Sequence, residues 1–241
     1  KAKGSDVEGS IVSGGNVTIQ DYDVNLKDRA AYAGYSIVAG GDISRAGGSI
    51  RNGPVYAGGT VVHDRVKEPP RSTVNPVDFA AATQQFKNIA AGLSLVESTG
   101  SVEREYSANK IIGSGKGGVD IFDVSAAFLL GGNNWVLEGL TKGQTLIFNI
   151  SGKHGGFEGG MHPLADYNVL FNFFEAETVN MKGVLGTVLA PGATAVGVHD
   201  VVNGQVIVDT WDSSIQVNAA NYFKAVDVPG FELVKENPPL E

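Results

Sequence analysis

The chain has 241 residues, 33 of them glycine, no cysteine and a formal net charge of -8. The acidic balance excludes nucleic-acid binding through a basic surface, and the lack of cysteine excludes a disulfide framework and thiolate chemistry. Abundant glycine with only 18% charged residues is typical of an all-β protein with many tight turns, and no apolar run is long enough to predict membrane insertion by this segment.

A short motif recurs near the start of the chain: two apolar residues, one small residue and a pair of glycines. It reads SIVSGGNVTI at 10–19, SIVAGGDISR at 36–45 and, more loosely, PVYAGGTVVH at 54–63. Its apolar positions Ile37 and Val55 are 18 residues apart, whereas Ile11 and Ile37 are 26 apart, which we interpret as one 18-residue step plus a loop. The 18-residue step returns late in the chain, between Leu170, Val188 and Val206.

A step near 18 residues without helical spacing predicts a β-solenoid. Three short strands per coil would make it triangular, with alternate side chains pointing inward and successive coils stacked about 4.8 Å apart. The glycine pairs at 14–15, 40–41 and 58–59 would then lie at corners, where glycine takes a positive φ without steric cost. We therefore predict an all-β dominated fold, a triangular β-helix with about 18 residues per coil.

One segment, NPVDFAAATQQFKNIAAGLSLV, departs from this rhythm. Asn75 is the predicted N-cap of a helix, Pro76 suits its first position, and Asp78 adds negative charge to its first turn. The apolar residues at helical spacing are Phe79, Phe86, Ile89, Ala90 and Leu93. We predict one long α-helix over about residues 76–96 that packs along the solenoid through this apolar stripe.

The rest of the sequence predicts strands in VDIFDVSAAFLL, NWVLEGL and TLIFNISG before the 18-residue rhythm resumes. The segment VPGFELVKENPPLE closes the fold and then loosens into a proline-containing end. No shift in composition divides the chain, so we predict a single domain over residues 1–241, with 235–241 as a tail or the start of a linker.

Several of these segments, taken in order, resemble the bacterial choice-of-anchor A domain. They are SDVEGSIVSGGNVTI, YSIVAGGDIS, VYAGG, the helix that follows VDF, NVLFNF and GTVLAPGATA. The resemblance implies an exported adhesive domain of a fibrillar surface adhesin, with a solenoid related in shape to ice-binding proteins that pack a helix along a β-helix. It also implies a strand before KAKGSDVEG and an anchor after ENPPLE, which this sequence does not contain, and it supplies no catalytic residue.

The loop HGGFEGGMH combines metal-ligating and apolar residues. His154, Glu158 and His162 are spaced four and four, which on a helix would suit zinc, but the intervening glycines disfavour a helix. We interpret the segment as an exposed loop in which Phe157, Met161 and His162 contact a ligand, because such residues are rarely left in solvent without a use.

The segment DYDVNLKD places Asp21, Asp23 and Asp28 close together and could offer oxygen ligands to calcium. Leu26 and Tyr32 stand where an EF-hand needs glycine and glutamate, so this is not an EF-hand. A solvated acidic turn is the simpler interpretation. We expect no cofactor, with calcium as the one alternative.

Asp209 and Asp212 flank Trp211 in VDTWDSS, a pattern that suits contact with a sugar. Turn chemistry and edge packing explain the same residues, and no nucleophile motif such as G-x-S-x-G is present, so we expect no enzyme. An ice-binding face would need small hydroxyl residues at matching coil positions. The relevant threonines look scattered in sequence: Thr18, Thr60, Thr178, Thr187, Thr194 and Thr210.

We therefore predict a non-catalytic adhesive module of a bacterial cell-surface adhesin, extracellular and monomeric within a longer chain. Its partner would be a host or environmental surface ligand, a protein or a glycan, held by the loops DYDVNLKDRAAY, HGGFEGGMHPLADY and VHDVVNG. The alternatives are an ice-binding β-solenoid domain, a polysaccharide-acting β-helix enzyme, and a structural spacer without a ligand.

Overall fold

The computed structural model describes residues 1–27, 32–64 and 67–234, and these residues form mostly β-structure. The strands before the long helix are β1 (Ala2–Val7), β2 (Ile11–Ser13), β3 (Val17–Val24), β4 (Ile37–Ala39), β5 (Ile43–Ala46), β6 (Val55–Ala57) and β7 (Val61–His63). The helix α1 (Phe79–Ser94) is followed by β8 (Ser101–Glu105), β9 (Ala108–Ile112), β10 (Val119–Ser125), α2 (Ala126–Leu130), β11 (Asn134–Glu138), β12 (Thr145–Ser151) and β13 (His154–Gly156). A 3-10 turn (His162–Leu164) then leads to β14 (Asn168–Asn172), β15 (Thr178–Asn180), β16 (Val184–Leu185), β17 (Thr187–Asn203) and β18 (Val206–Asn218).

Parallel pairing organises the large sheet, whose main strand order is β10-β12-β14-β17-β18-β1-β3-β5-β7. The chain therefore starts in the middle of the sheet. Its first strands stack outward from β1 to β7, α1 follows, and the later strands stack from the opposite end until β18 pairs with β1. We call residues 1–27 and 32–64 the N-terminal winding and residues 119–218 the C-terminal winding.

The strand registers confirm part of the predicted rhythm. Ile37 pairs with both Ile11 and Val55, and Val188 pairs with Val206, as the sequence spacing predicted. The step predicted from Leu170 to Val188 is wrong by one position, because Leu170 pairs with Thr187. A slip of one position exchanges the two faces of a strand, and Val188 accordingly lies in the main core while Leu170 faces α1.

The earlier steps of the C-terminal winding are longer than the predicted period. Val119 of β10 pairs with Thr145 of β12, which in turn pairs with Asn168 of β14. The chain between these strands includes α2, β11 and the 3-10 turn, which lengthen each pass. The predicted period therefore applies to the N-terminal winding and to the last passes of the C-terminal winding only.

The paired glycines lie in bends, but the predicted reason for them is wrong. None of the residues at 14–15, 40–41 and 58–59 has a positive φ. Glycine is required at 40 and 58 because successive passes of the backbone approach closely: a Cβ on Gly40 would lie 2.3 Å from the carbonyl oxygen of Gly14, and one on Gly58 would lie 2.3 Å from that of Gly40. Such contacts leave no room for a side chain.

The long helix is confirmed, with corrected bounds of Phe79–Ser94 instead of 76–96. The N-cap is Asp78, whose carboxylate accepts a hydrogen bond from the Ala81 N–H at 3.0 Å, while Asn75 caps the preceding turn through Val77. Proline at 76 therefore precedes the helix. No helix in the described part of the chain is long and apolar enough to cross a membrane.

Helix α1 packs across the outer side of the C-terminal winding, which we call the helix face. The outward residues beneath it, one from each successive strand, are Ile121, Ile147, Leu170, Leu189 and Ile207. Two buried asparagines fix the helix in place: Asn149 donates to the Leu93 carbonyl at 2.8 Å, and Asn172 donates to the Ala90 carbonyl at 2.9 Å. These bonds tie two backbone carbonyls near the end of the helix to side chains of the sheet.

Candidate functional site

A second side of the molecule, which we call the open face, lies one corner beyond the helix face. It is built from β13, β15, residues 194–196 of β17 and residues 210–212 of β18, which pair in parallel. The central residues Val179 and Ala195 are buried, so the residues on either side of them point outward. Among the described residues, no helix packs on the outward surface of the open face, whereas α1 packs on the helix face.

One outward row of the open face contains three threonines in register. Thr178 pairs with Thr194, Thr194 pairs with Thr210, and His154 precedes them opposite Thr178. We call these four residues the threonine column. Neighbouring strands are about 4.8 Å apart, so the column presents hydroxyl and methyl groups at a regular interval. The His154 ring nitrogen Nδ1 lies 2.9 Å from the Thr178 hydroxyl, which fixes the first member of the column.

The adjacent outward rows add apolar surface and charge. Val196 and Val198 of β17 are 37% and 67% exposed, unusual fractions for valines within a strand. Asp212 pairs in register with Val196 and lies 3.9 Å from the Lys3 ammonium group, with both side chains half in solvent. The open face is therefore a mixed surface, apolar and hydroxylated in β17 and charged toward β1.

The N-terminal winding continues the same side of the molecule with a polar row. Asn16 Oδ1 accepts a hydrogen bond from the Asp42 N–H at 2.8 Å, and Asp42 accepts bonds from the Thr60 N–H and hydroxyl at 2.7 and 2.9 Å. The bonds from the backbone and the hydroxyl of Thr60 lower the pKa of Asp42. The polar groups of this row therefore hydrogen-bond to one another between successive passes.

Ion pairs between successive passes flank the open face. Lys153 contacts Glu177 at 2.7 Å and Lys182 contacts Glu158 at 2.6 Å. Hydrogen bonding to Lys153 lowers the pKa of Glu177, and the same contact raises the pKa of the lysine. Because these pairs are exposed, we assign them a role in surface charge balance more than in stability.

The predicted ligand residues around Trp211 lie at the charged border of the open face. Asp209 and Asp212 are exposed, and the Asp209 carboxylate accepts a bond from the Thr210 hydroxyl at 3.0 Å. Trp211 itself points inward and is half-buried, where it packs against the cores of both windings. The three residues are therefore neighbours in sequence, but only the two aspartates present their side chains on the outside.

The residues of the predicted ligand loop after β13 differ in their exposure to solvent. Phe157, expected in solvent, is 1% exposed and packs edge-on against Phe171 and Phe173, and Met161 is buried as well. Glu158 is half-buried and paired with Lys182, while His162 is exposed at the start of the 3-10 turn. The expectation that apolar residues of this loop face a ligand is wrong, because they complete the core.

The described part of the acidic segment near Asp21 has a structural role in turns. Asp21 is exposed with a φ of 49°, and Asp23 accepts bonds from the Ser49 N–H and hydroxyl at 2.6 and 2.7 Å. Asp28, the third predicted calcium ligand, lies outside the described residues. Within 1–27, 32–64 and 67–234, no group of three or more His, Asp or Glu side chains could hold a metal ion, and this covers His154, Glu158 and His162.

A shallow polar groove lies beside the open face, where β17 carries an irregularity between Val198 and Val201. His199, with a φ of 53°, and Asp200 line it together with Ser214 and Gln216 of β18. Asp200 is held by the Gly183 N–H at 3.0 Å. The loop VHDVVNG was expected to contact a ligand, and the groove is formed in part by that loop. Trp211 and the His154 loop do not line it.

Sequence reasoning missed the threonine column because it searched for an 18-residue step. The three threonines follow one another at a step of 16 residues, and the register of β17 with β18 shifts between Ala190 and Thr194. Each threonine is followed by an apolar residue that points inward, in TVN, TAV and TWD at 178, 194 and 210. A threonine before an apolar residue at a 16-residue step is the signal that would have found the column.

A family model described as "Putative Ice-binding-like adhesive domain" matches residues 1–219. The chain belongs to this adhesive domain family. No curated protein and no solved structure matches the chain. The match to the adhesive domain covers both windings and α1, so the threonine column and the groove lie within the family's domain.

Proposed function

We propose that this adhesive domain is a non-catalytic module of a bacterial cell-surface adhesin and that it holds an external ligand on its open face. The threonine column is the observation that carries the proposal. Outward hydroxyl and methyl groups on a hydrogen-bonded sheet are fixed in position before binding, so little conformational entropy is lost when a ligand docks. The exposed valines of β17 supply apolar contact next to the column.

The scaffold suits this role. We infer that the parallel windings form a triangular β-solenoid, since the corners, the inward rows and the similar steps between paired strands all favour that arrangement. Each strand is bonded to its neighbours along its length, and α1 braces one side. The narrower resemblance to the choice-of-anchor A domain supports a place outside the cell, at the surface of a bacterium.

The ligand class we favour is a host or environmental glycan or protein. Asp209, Asp212 and Lys3 border the column with charge, which suits hydrogen-bonding groups of a polar ligand more than a uniform water lattice. The groove lined by His199 and Asp200 provides further polar contacts at the other border. A sugar or an extended peptide could span both.

The test compares wild type with the double variant Thr178→Arg/Thr194→Arg on a glycan array and against immobilised surface proteins. Both changes point outward, so we expect normal folding and a loss of retention of about tenfold or more, as for disruption of a binding centre. The control is Thr141→Arg, an exposed threonine outside the open face. Equal retention of all three proteins would refute the assignment, and shortening of a polysaccharide would favour the enzyme alternative.

Ice is the second candidate ligand, and the regular threonine column is the observation that favours it. Ice binding would appear as thermal hysteresis and shaped crystals in a cooled droplet of wild type, with both lost in Thr178→Arg/Thr194→Arg. Retained hysteresis in that variant would exclude the open face as the ice-binding surface. A structural spacer would show neither ice binding nor retention on any ligand surface.

A further inference from the structure

The groove beside the open face lies where three neighbouring strands turn the same corner. Its lining comes from β17, β18 and β1, in that order across the sheet, and its volume is about 420 Å³. Between Val198 and Val201, β17 has two residues where β18 has only Ile215. On the other side, β1 has four residues between Ala2 and Val7 where β18 has three. At this corner β18 is therefore one residue shorter than either neighbour.

The additional residue has the same backbone conformation in both neighbours of β18. His199 of β17 has a φ of 53° and Gly4 of β1 has a φ of 63°, both in the left-handed region. Asp21 of β3, which the strand register aligns with Gly4, has a φ of 49°. None of the residues 213–217 of β18 has a positive φ. Because an additional residue bends a strand out of its regular path, β17 and β1 form the walls of the groove and β18 forms its floor.

Polar side chains from all three strands line the groove and have hydrogen-bonding capacity to spare. In the described part of the chain, the hydroxyls of Ser5 and Ser214 and the imidazole of His199 make no hydrogen bond with the protein. Gln216 donates from its amide nitrogen to Asn218 at 3.0 Å, which leaves its amide oxygen available. Hydroxyl and imidazole groups can both donate and accept hydrogen bonds, so the floor and both walls offer groups of either kind.

Asp200 carries the one formal charge at neutral pH among the described residues that line the groove. Its Oδ1 accepts hydrogen bonds from the Gly183 N–H at 3.0 Å and the Val201 N–H at 2.8 Å, which hold the carboxylate in place. Its Oδ2 accepts none from the described residues. A carboxylate that is fixed before a ligand arrives loses little conformational entropy on binding.

These groups define the chemistry of a ligand. An anion would be repelled by the Asp200 carboxylate, and no lysine or arginine is among the described lining residues. An apolar ligand would contact one apolar side chain, Val201, and no aromatic ring. A neutral molecule with several hydroxyl groups fits best, because each hydroxyl can donate to a carboxylate and accept from a serine or histidine. The walls are two strand spacings apart, about 9.6 Å, which leaves room for one sugar ring.

We propose that the groove is a subsite for one neutral, polyhydroxylated sugar ring, created by the shorter corner of β18. This inference rests on the proposed adhesive function and names its ligand class as a glycan that carries an uncharged sugar. The sugar hydroxyls donate to Oδ2 of Asp200 and accept from the Ser214 hydroxyl and the His199 imidazole. One ring buries little surface, so a free monosaccharide binds with millimolar affinity.

The experiment titrates the isotope-labelled protein with glucose, galactose, mannose and N-acetylglucosamine in separate series and follows the backbone amide shifts by NMR. We expect at least one of these sugars to shift the amides of 198–201 and 214–216 in a saturable manner. Glycerol, an open-chain polyol, should bind more weakly by about tenfold, because its freedom of rotation is lost on binding.

Two variants test the residues of the groove. His199→Gly removes the imidazole without straining the backbone, because glycine accepts a φ of 53°. Asp21→Gly is the matched control, at an exposed corner residue with a φ of 49° that does not line the groove. The affinity for the sugar should fall about tenfold in His199→Gly and stay unchanged in Asp21→Gly. Ser214→Tyr fills the floor of the groove and should abolish the shifts.

The inference would be overturned by the absence of saturable shifts at the groove for all four sugars, or by an equal response to glycerol. Wild-type affinity in both His199→Gly and Ser214→Tyr, with normal thermal unfolding, would also overturn it. A response to N-acetyl-lysine amide without any response to sugars would instead assign the groove to a cation.

Failure of this inference and failure of the proposed function give different results. Retention of wild type on a glycan or protein surface, without sugar-induced shifts at the groove, would refute the subsite and leave the adhesive function in place. Sugar binding at the groove, with undiminished retention of Thr178→Arg/Thr194→Arg, would refute the threonine column as the binding centre and leave the subsite in place.

Discussion

The N-terminal and C-terminal windings use the same parallel pairing with different interiors. The N-terminal core is aliphatic, apart from Tyr22, and its passes meet closely at glycine corners. The C-terminal core stacks Phe122, Phe148 and Phe171, with ring centroids 5.0 and 5.3 Å apart, and Trp135 meets that stack edge-on. We infer that close backbone contact restricts which residues the N-terminal winding tolerates, whereas the volume of the core side chains restricts them in the C-terminal winding.

The two windings also contact each other. The Tyr22 hydroxyl of the N-terminal winding donates to the Ile215 carbonyl of β18 at 2.9 Å, and burial raises the pKa of that tyrosine. Trp211 and Val217 pack against both cores. A perturbation in one winding should therefore reach the other, and four variants test how far the contrast between them holds.

The largest effect is expected from Phe148→Ala, which removes the middle ring of the aromatic stack. Phe148 is fully buried, so the free energy of unfolding should fall by about 3–5 kcal/mol, from lost burial and a residual cavity. Guanidinium unfolding followed by tryptophan fluorescence measures the change. Leu95→Ala, at a residue 78% exposed, is the control and should change stability by less than about 0.5 kcal/mol. A loss below about 1 kcal/mol for Phe148→Ala would show that volume does not limit this winding.

The glycine corners predict the next largest effect, in the N-terminal winding. Gly40→Ala should lower the free energy of unfolding by about 3 kcal/mol, because the added Cβ would lie 2.3 Å from the Gly14 carbonyl oxygen and the backbone must shift. Gly15→Ala is the matched control, since nothing lies within 4 Å of its Cβ and its φ is not positive. Equal stability of the two variants in urea unfolding would remove backbone contact as the limit on this winding.

The contrast also explains how far the sequence predicted the fold. The glycine motif marks short strands at fixed intervals, so the pairing of Ile11, Ile37 and Val55 could be derived from spacing. The C-terminal passes differ in length because loops, α2 and the 3-10 turn are inserted between their strands. No fixed period applies there. The 18-residue step assumed from Leu170 to Val188 is wrong by one position, which places Leu170 on the wrong side of its strand.

The candidate site was predicted less well, for a related reason. His154, Asp209 and Asp212 were selected for their chemistry, and all three are exposed on or beside the open face. Phe157 was selected because a glycine-rich loop looked solvent-exposed, yet the chain folds that loop inward onto Phe171. The 16-residue step from Thr194 to Thr210 depends on a register shift between β17 and β18, and such irregularities follow from tertiary packing that local sequence does not encode.

A third prediction concerns Asp120, a buried carboxylate of the C-terminal winding. It accepts bonds from the Thr99 hydroxyl at 2.9 Å, the Ser114 N–H at 3.0 Å and the Gln144 amide at 2.7 Å. Burial acts to raise its pKa, but these hydrogen bonds outweigh burial and lower it below the ordinary 3.8. Asp120→Asn should reduce stability at neutral pH by about 2 kcal/mol, because the amide cannot accept all three donors.

The sign of the pH dependence for Asp120 follows from its lowered pKa. The stabilisation is complete above pH 3.8 and is lost as the pH falls through the lower folded-state value, so wild type and Asp120→Asn should converge in acid. Thermal unfolding across that range measures the convergence. Asp123→Asn is the control, at an exposed residue of the same strand. A constant difference at every pH would mean that the substitution acts through packing and not through charge.

The smallest effect is expected at Asp6 in the N-terminal winding, with the opposite sign. One of its carboxylate oxygens is buried without a hydrogen-bond partner, and Asp23 pairs with it in register. Burial, then Glu8 and Asp23, raise the pKa of Asp6, with Lys27 opposing them. A carboxyl with a raised pKa favours folding while it is protonated, and that advantage is lost as the pH rises through the folded-state value.

Asp6→Asn keeps the neutral form, so it should stabilise the protein at pH 7 by about 0.5 kcal/mol and have no effect near pH 3. Asp21→Asn, an exposed change in β3, is the control for thermal unfolding at both pH values. Destabilisation by Asp6→Asn at pH 7 would show that Asp6 accepts an important bond when ionised, and the two windings would then treat their carboxylates alike.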